Sequence, residues 1–394
     1  MNSKHKFSLR ENVRLRILKD MLSGIKINFP DIPNFILVVD MLTTRIVSSC
    51  AKMIELLEEG VVALERLDVK RKHFPSMHAI YFITPTESSI DALINDYANP
   101  KEPMYGNIHL FFSNHVDNNL LEKMSKQRSL CERVATFKEI NIDFLTSDAN
   151  IFHFDMPDAL PTLFSRPDLS PSKIMEEKIA YKLSTVVPTL FDYEKFHIVY
   201  NKNAANPVAE KVAKVLKERV NRFIEIKKKQ EEDPNDEPPA PIKIVILDRS
   251  FDPLTPVLHD YHYQSMLYEL MDAKGDVVEY EDDDDNNKDQ KTKKQAVLGE
   301  DDDLWSKYKY QFIGEAMSNI SREFESFVAQ NKSQGMSKMD SGQLDLQQMS
   351  DIIKKMPQYQ ALMTKYTLHM TLIEQCIKVS SFSFLLVTIF KAIL

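Results

Sequence analysis

The chain has 394 residues, 43% hydrophobic and 27% charged, with a formal net charge of −8. That is enough apolar material for two or three domains with cores of their own. Residues 1–145 hold 19 Lys+Arg against 18 Asp+Glu and the remainder 31 against 40. No stretch is therefore basic enough to neutralise a nucleic-acid backbone, and nucleic acid is excluded as a partner. The 8 glycines are too few for architectures built on repeated left-handed turns or Gly-rich phosphate loops.

Met1-Asn2-Ser3-Lys4-His5-Lys6 carries charge but no apolar core of the kind a secretory signal needs. A cytoplasmic location is expected. The sequons at Asn319-Ile320-Ser321 and Asn331-Lys332-Ser333 would then not meet the glycosylation machinery. Cys50, Cys131 and Cys376 are far apart, odd in number and outside any metal-ligand spacing. They are expected to be buried thiols in a reducing compartment.

Short apolar runs at 35–39, 79–84, 108–112 and 140–145 read as buried strands. Helical spacing lies between them. Ile46, Cys50, Met53, Ile54 and Leu57 share one face, with Gly60 as a stop. Ile90, Leu93, Ile94 and Tyr97 form a second stripe, and Val116, Leu120, Leu121 and Met124 a third. Alternation at this spacing predicts an α/β domain over 1–145, a Rossmann-like parallel sheet covered by helices on both faces.

Residues 146–242 form a second domain, with helical patterns at 173–186 and 207–230. The latter has Val208, Val212, Val215, Leu216, Phe223 and Ile224 as its apolar stripe. Charge followed by Pro234, Pro238, Pro239 and Pro241 cannot continue a helix, so a linker and domain boundary fall there. A strand over 242–247 opens a third domain, 243–378. Residues 276–303, around Asp282-Asp283-Asp284-Asp285, are expected to be a solvated loop. They lack the glycine and glutamate that a calcium-binding loop requires. A helical pattern fills 304–378, broken by a polar stretch at 333–342 and by Pro357. The apolar tail 379–394 is short for a membrane span and carries Lys391. A buried helix or an abnormal chain end is expected there.

The glycine patterns of phosphate and dinucleotide loops, the hydrolase elbow and the zinc-binding helix are all absent from the sequence. His259 and His262 stand near Asp248, Asp252 and Asp260 but specify no complete ligand set. They are expected to cap or hydrogen-bond, with no metal and no cofactor.

More information lies in Ile36-Leu37-Val38-Val39-Asp40 with Thr44-Arg45-Ile46-Val47-Ser48-Ser49-Cys50, and in Glu59-Gly60 with Tyr81-Phe82-Ile83-Thr84-Pro85-Thr86. The same holds for Ile246-Leu247-Asp248-Arg249-Ser250-Phe251-Asp252-Pro253 and for Lys354-Lys355-Met356-Pro357-Gln358-Tyr359-Gln360. Together these resemble the Sec/Munc (SM) family, in particular its exocytic, syntaxin-binding branch at the plasma membrane. The resemblance runs in order from about Ile36 to Lys378.

It implies an arch-shaped fold of three domains that grips a syntaxin-type SNARE or an assembled SNARE bundle. The protein would be a monomer that meets the membrane only through that partner and catalyses no reaction. The matching cavity positions are Asp40, Thr44, Arg45, Lys52 and Glu65, with Arg322 from the third domain. A second site, for the N-terminal peptide of syntaxin, matches Val116, Leu121, Phe137 and Glu139. Leu121 stands where the family often has Phe, which keeps the pocket apolar but removes ring contacts. Pro357 matches a hinge in a helical hairpin.

The family pattern continues well past Lys378, so the chain is expected to be truncated, poorly soluble and weak in syntaxin binding. The alternatives are an SM protein of Golgi, endosomal or vacuolar traffic, or a nucleotide-binding enzyme with its ligand near Asp40 and Thr86.

Overall fold

The computed structural model describes residues 8–32, 34–165, 170–190, 196–202, 207–228, 242–284, 287–299, 302–333, 357 and 359–380. The chain forms two compact units, Met1–Phe251 and Asp252–Leu394.

Five parallel strands make the sheet of the first unit: β1 Phe35–Val39, β2 Val61–Arg66, β3 His78–Ile83, β4 Ile108–Phe112 and β5 Val134–Glu139. Their order is β2-β1-β3-β4-β5, that of a doubly wound sheet whose order reverses beside β1. Every residue of β1 is buried, as a central parallel strand requires. The strand's period of two splits the interior into two cores. Phe35, Leu37 and Val39 face one, with the N-terminal helix residues Val13, Ile17 and Met21 and with Ile46 and Val47. Ile36 and Val38 face the other, with Ile90, Leu93, Leu120 and Met124.

Three expectations for this unit are corrected. The run 140–145 is not the last strand of the sheet, because β5 lies before it. Asn141, with φ of 54°, turns the backbone out of the extended region, and Ile140, Ile142 and Phe144 join the first core from outside the sheet. Edge strand β2, which opens with Val61-Val62-Ala63-Leu64, was not among the four strands expected. The stripe from Ile46 to Leu57 is two helices, Met41–Cys50 and Met53–Glu58. Ala51 and Lys52 between them are extended.

After the sheet, strands β6 Leu145–Asp148 and β7 Ile151–His153 pair antiparallel. Helices Ser170–Leu190 and Val208–Lys228 then pack on β8 Phe196–Tyr200 and β9 Ile242–Ile246, which pair in parallel. The strand read as the start of a third domain thus belongs to the first unit. Ile244 and Ile246 pack with Phe196, Ile198 and Leu216, and the proline-rich segment 234–241 joins two parts of one core.

In the second unit, β10 Ala273–Lys274, β11 Val277–Asp284 and β12 Asn287–Val297 form an antiparallel sheet where a loop was expected. The acidic strand faces a basic one. Glu281 stands opposite Lys293, Tyr280 opposite Lys294 and Glu279 opposite Gln295, and Lys294 Nζ reaches Asp282 at 2.9 Å. Opposite charges across an antiparallel pair stabilise a sequence too polar to show alternation. Helices Tyr263–Leu270, Asp303–Tyr308, Ile313–Ser333 and 359–380 complete the unit. Around its core, the buried His369 meets the Tyr263 hydroxyl at 2.9 Å and stacks on Trp305.

No described helix is long and apolar enough to cross a membrane. The tail beyond residue 380 lies outside the described residues.

Candidate functional site

Asp40 ends β1 and caps the helix Met41–Cys50. Its Oδ1 accepts from Thr43 N at 2.9 Å, while its own N–H donates to Thr43 Oγ1 at 2.9 Å, completing a reciprocal box. Its Oδ2 accepts from Thr84 N and Thr84 Oγ1, each at 2.6 Å, and from Ser89 Oγ at 3.0 Å. The carboxylate is buried and fully engaged. It ties the carboxyl ends of β1 and β3 together and is not presented to a partner, which corrects its assignment as a cavity contact.

Thr44, one residue beyond this box, donates to Asp40 O at 2.6 Å and is half-buried. Arg45 and Lys52 are exposed. Arg45 pairs with Asp155 and, by that hydrogen bond first, holds the Asp155 carboxyl below the usual carboxylate range. The Lys52 N–H donates to Glu55 Oε2 at 2.8 Å and so starts the next helix. Glu65, on edge strand β2, accepts from the Tyr105 hydroxyl. Tyr105 is in turn reached by Arg71, which holds the buried Asp96 through two 2.8 Å bonds. Glu65 is therefore half-buried with a fixed rotamer, oriented by a network that sequence reading did not find.

That reading also missed the exposure of the helix Met53–Glu58. Met53, Ile54 and Leu57, expected to be core, are 50%, 63% and 51% exposed. The helix is short and buries only Leu56. Its apolar residues follow Lys52 directly in the chain, and the preceding helix carries the exposed Arg45 and Met41. The sequence held a signal, since four large apolar residues among the five positions 53–57 spread over a wider arc than one narrow buried stripe on a helix.

The four N-peptide positions divide. Val116 is fully buried in the second core, so its side chain is core and not pocket lining. Leu121 is half-buried against the same core, and Phe137 on edge strand β5 is 44% exposed, its ring 5.3 Å from Phe112. Glu139 Oε1 accepts from Val116 N at 3.0 Å and meets His115 Nδ1 at 2.9 Å, fixing the loop after β4.

In the second unit Arg322 is exposed on the helix Ile313–Ser333, and Pro357 is exposed ahead of 359–380. Residues 334–356, on which the hinge reading rests, lie outside the described residues. His259 pairs with Glu269 and His262 with Asp260, each at 2.5 Å. Among the described residues no three metal-capable side chains gather. Cys50 and Cys376 have thiols pushed up by burial to about 12, whereas Cys131, expected to be buried, is exposed.

A doubly wound sheet with helix faces exposed beside it, followed by a helical unit, is the fold of the SM proteins. The Unc18–syntaxin 1 complex from Monosiga brevicollis matches with a TM-score of 0.74 at 26% identity, over 95% of this chain and 63% of that one. The chain belongs to the Sec1 family, whose pattern matches residues 35–383. It is 32% identical over 370 residues to the protein transport protein sec1 of Dictyostelium discoideum, covering 93% of this chain and 59% of the relative. It is 27% identical over 373 residues to the SNARE-interacting protein KEULE of Arabidopsis thaliana, covering 92% and 55%. The chain thus spans little more than half the length of these relatives.

Proposed function

We propose that this chain is a SNARE regulator, which binds a syntaxin-type SNARE and controls assembly of the SNARE complex in vesicle docking and exocytosis. It acts by recognition and catalyses no covalent change. It would sit in the cytoplasm and reach the plasma membrane through its partner.

One observation carries the reading: Met53, Ile54 and Leu57 are exposed on the short helix that directly follows the exposed Lys52, and the helix before it carries the exposed Arg45. An apolar strip flanked by charge suits the apolar face of a partner helix, with the charges setting register and association rate. Glu65, held by Tyr105, adds a fixed acceptor. Arg322 is proposed as a further contact, Leu121 and Phe137 as the remaining lining of a peptide pocket, and Pro357 as the hinge. A division of the first unit near residue 145 into two domains belongs to the same proposal. The names of the Unc18 and KEULE relatives support a SNARE as the partner.

The test is a pull-down with a syntaxin cytoplasmic segment, comparing the parent with Arg45→Glu and Lys52→Glu. Each reversal should weaken binding at least tenfold. The Arg45–Asp155 pair is exposed, so its loss costs less than about 1 kcal/mol of stability, and misfolding would not explain the result. Undiminished binding by both variants would remove the surface assignment, and no binding by the folded parent would remove the function.

A further inference from the structure

At the carboxyl ends of β3 and β4 the first unit contains a cavity of about 520 Å³, a size that suits small organic ligands. It adjoins the reversal of strand order between β1 and β3, where open doubly wound sheets take ligands. Leu42, Phe154, Met156 and Ile174 contribute apolar lining.

Part of the charge in the lining is already matched. Lys182 holds Asp143 at 2.5 Å with both side chains buried. Asp155 is paired with Arg45, and His115 with Glu139. Arg219 differs. Its guanidinium lies over the Tyr181 ring, 3.6 Å from the centroid, and its buried Nε has no hydrogen-bond partner among the described residues. Burial lowers its pKa, and the attraction of Asp117 and Glu139 does not reverse the direction. A half-buried guanidinium with an unused donor is costly unless an anion completes it. Sequence position agrees, because Arg219 falls three residues after Leu216 and four before Phe223, on the inward stripe of its helix.

We infer that this cleft binds a small amphipathic monoanion, its apolar body on the lining of Leu42, Phe154 and Ile174 and its carboxylate on Arg219. Lys178, exposed at the rim, attracts the same charge. Polyphosphates do not fit. Asp117 and Glu177 also line the cleft and repel multiple negative charge, and no glycine loop supplies backbone donors. The inference is independent of the SNARE reading, since none of its residues belongs to the proposed partner surface.

Isothermal titration calorimetry of the purified chain with decanoate, 1-decanol and ATP tests it. Decanoate should bind at least tenfold more tightly than decanol, and ATP should not compete. Arg219→Met, which keeps the packing on Tyr181, should weaken decanoate at least tenfold without lowering the thermal midpoint. Ile174→Asn, at a position 63% exposed, should weaken decanoate while leaving the fold intact. The inference fails if the folded parent does not bind decanoate, if decanol binds equally well, if ATP displaces decanoate, or if either variant binds like the parent.

Discussion

At the scale of single residues, the positions that the family resemblance marked turn out to do two kinds of work. Asp40 is structural. Removing its carboxylate takes away a helix cap and leaves the buried Thr84 N–H without an acceptor. Asp40→Ala should cost about 3 kcal/mol in urea unfolding, with Asp40→Asn recovering part, and a loss below about 1 kcal/mol would contradict this role. His109 gives the unit a pH dependence. Burial first, then the facing His78, pushes its imidazole from near 6.5 down to about 4. The ring is fully buried, with Nδ1 3.0 Å from Thr136 Oγ1. Below pH 6.5 the unfolded chain takes up a proton that the folded one refuses. Stability therefore falls as pH falls from about 6.5 to about 4 and then levels off with respect to this group. His109→Phe should flatten that slope, as read from urea midpoints at pH 7 and pH 5. An unchanged slope would assign the acid sensitivity elsewhere.

Among the elements, the short helix Met53–Glu58 separates stability from recognition. Because Ile54 is exposed, Ile54→Asp should change stability by less than about 0.5 kcal/mol yet weaken syntaxin capture at least tenfold. If unfolding midpoint and binding fall together, the side chain is acting in packing. Continuous apolar runs made β1, β3 and β4 readable in advance. They misled at 140–145, where apolar residues pack from an irregular segment, the 61–64 run of β2 was not read as a strand, and the β11–β12 ribbon has no such run. In that ribbon, charge complementarity between neighbouring strands replaces hydrophobic alternation, and no single strand displays it. The roles of Arg219 and Tyr105 were hidden, because a side chain's use depends on what faces it.

For the molecule as a whole, the proline-rich segment is expected to be cut without dissociation. Trypsin should nick first at Lys227-Lys228-Lys229, ahead of residues that cannot extend a helix. The fragments should still co-elute on size exclusion, because β8 and β9 pair across the linker with Phe196 opposite Ile242 and Tyr200 opposite Ile246. Separation of the fragments would show that this pairing is too weak to join them. The sequence by itself determined the parallel α/β class, the missing glycine loops and the family, since these follow from local periodicity and short ordered motifs. Tertiary structure decided which marked residues are available to a partner. It turned Asp40 and Val116 inward, exposed Ile54, and left Arg219 in a cleft with its Nε donor unused, because burial and hydrogen-bond satisfaction arise between segments far apart in the chain.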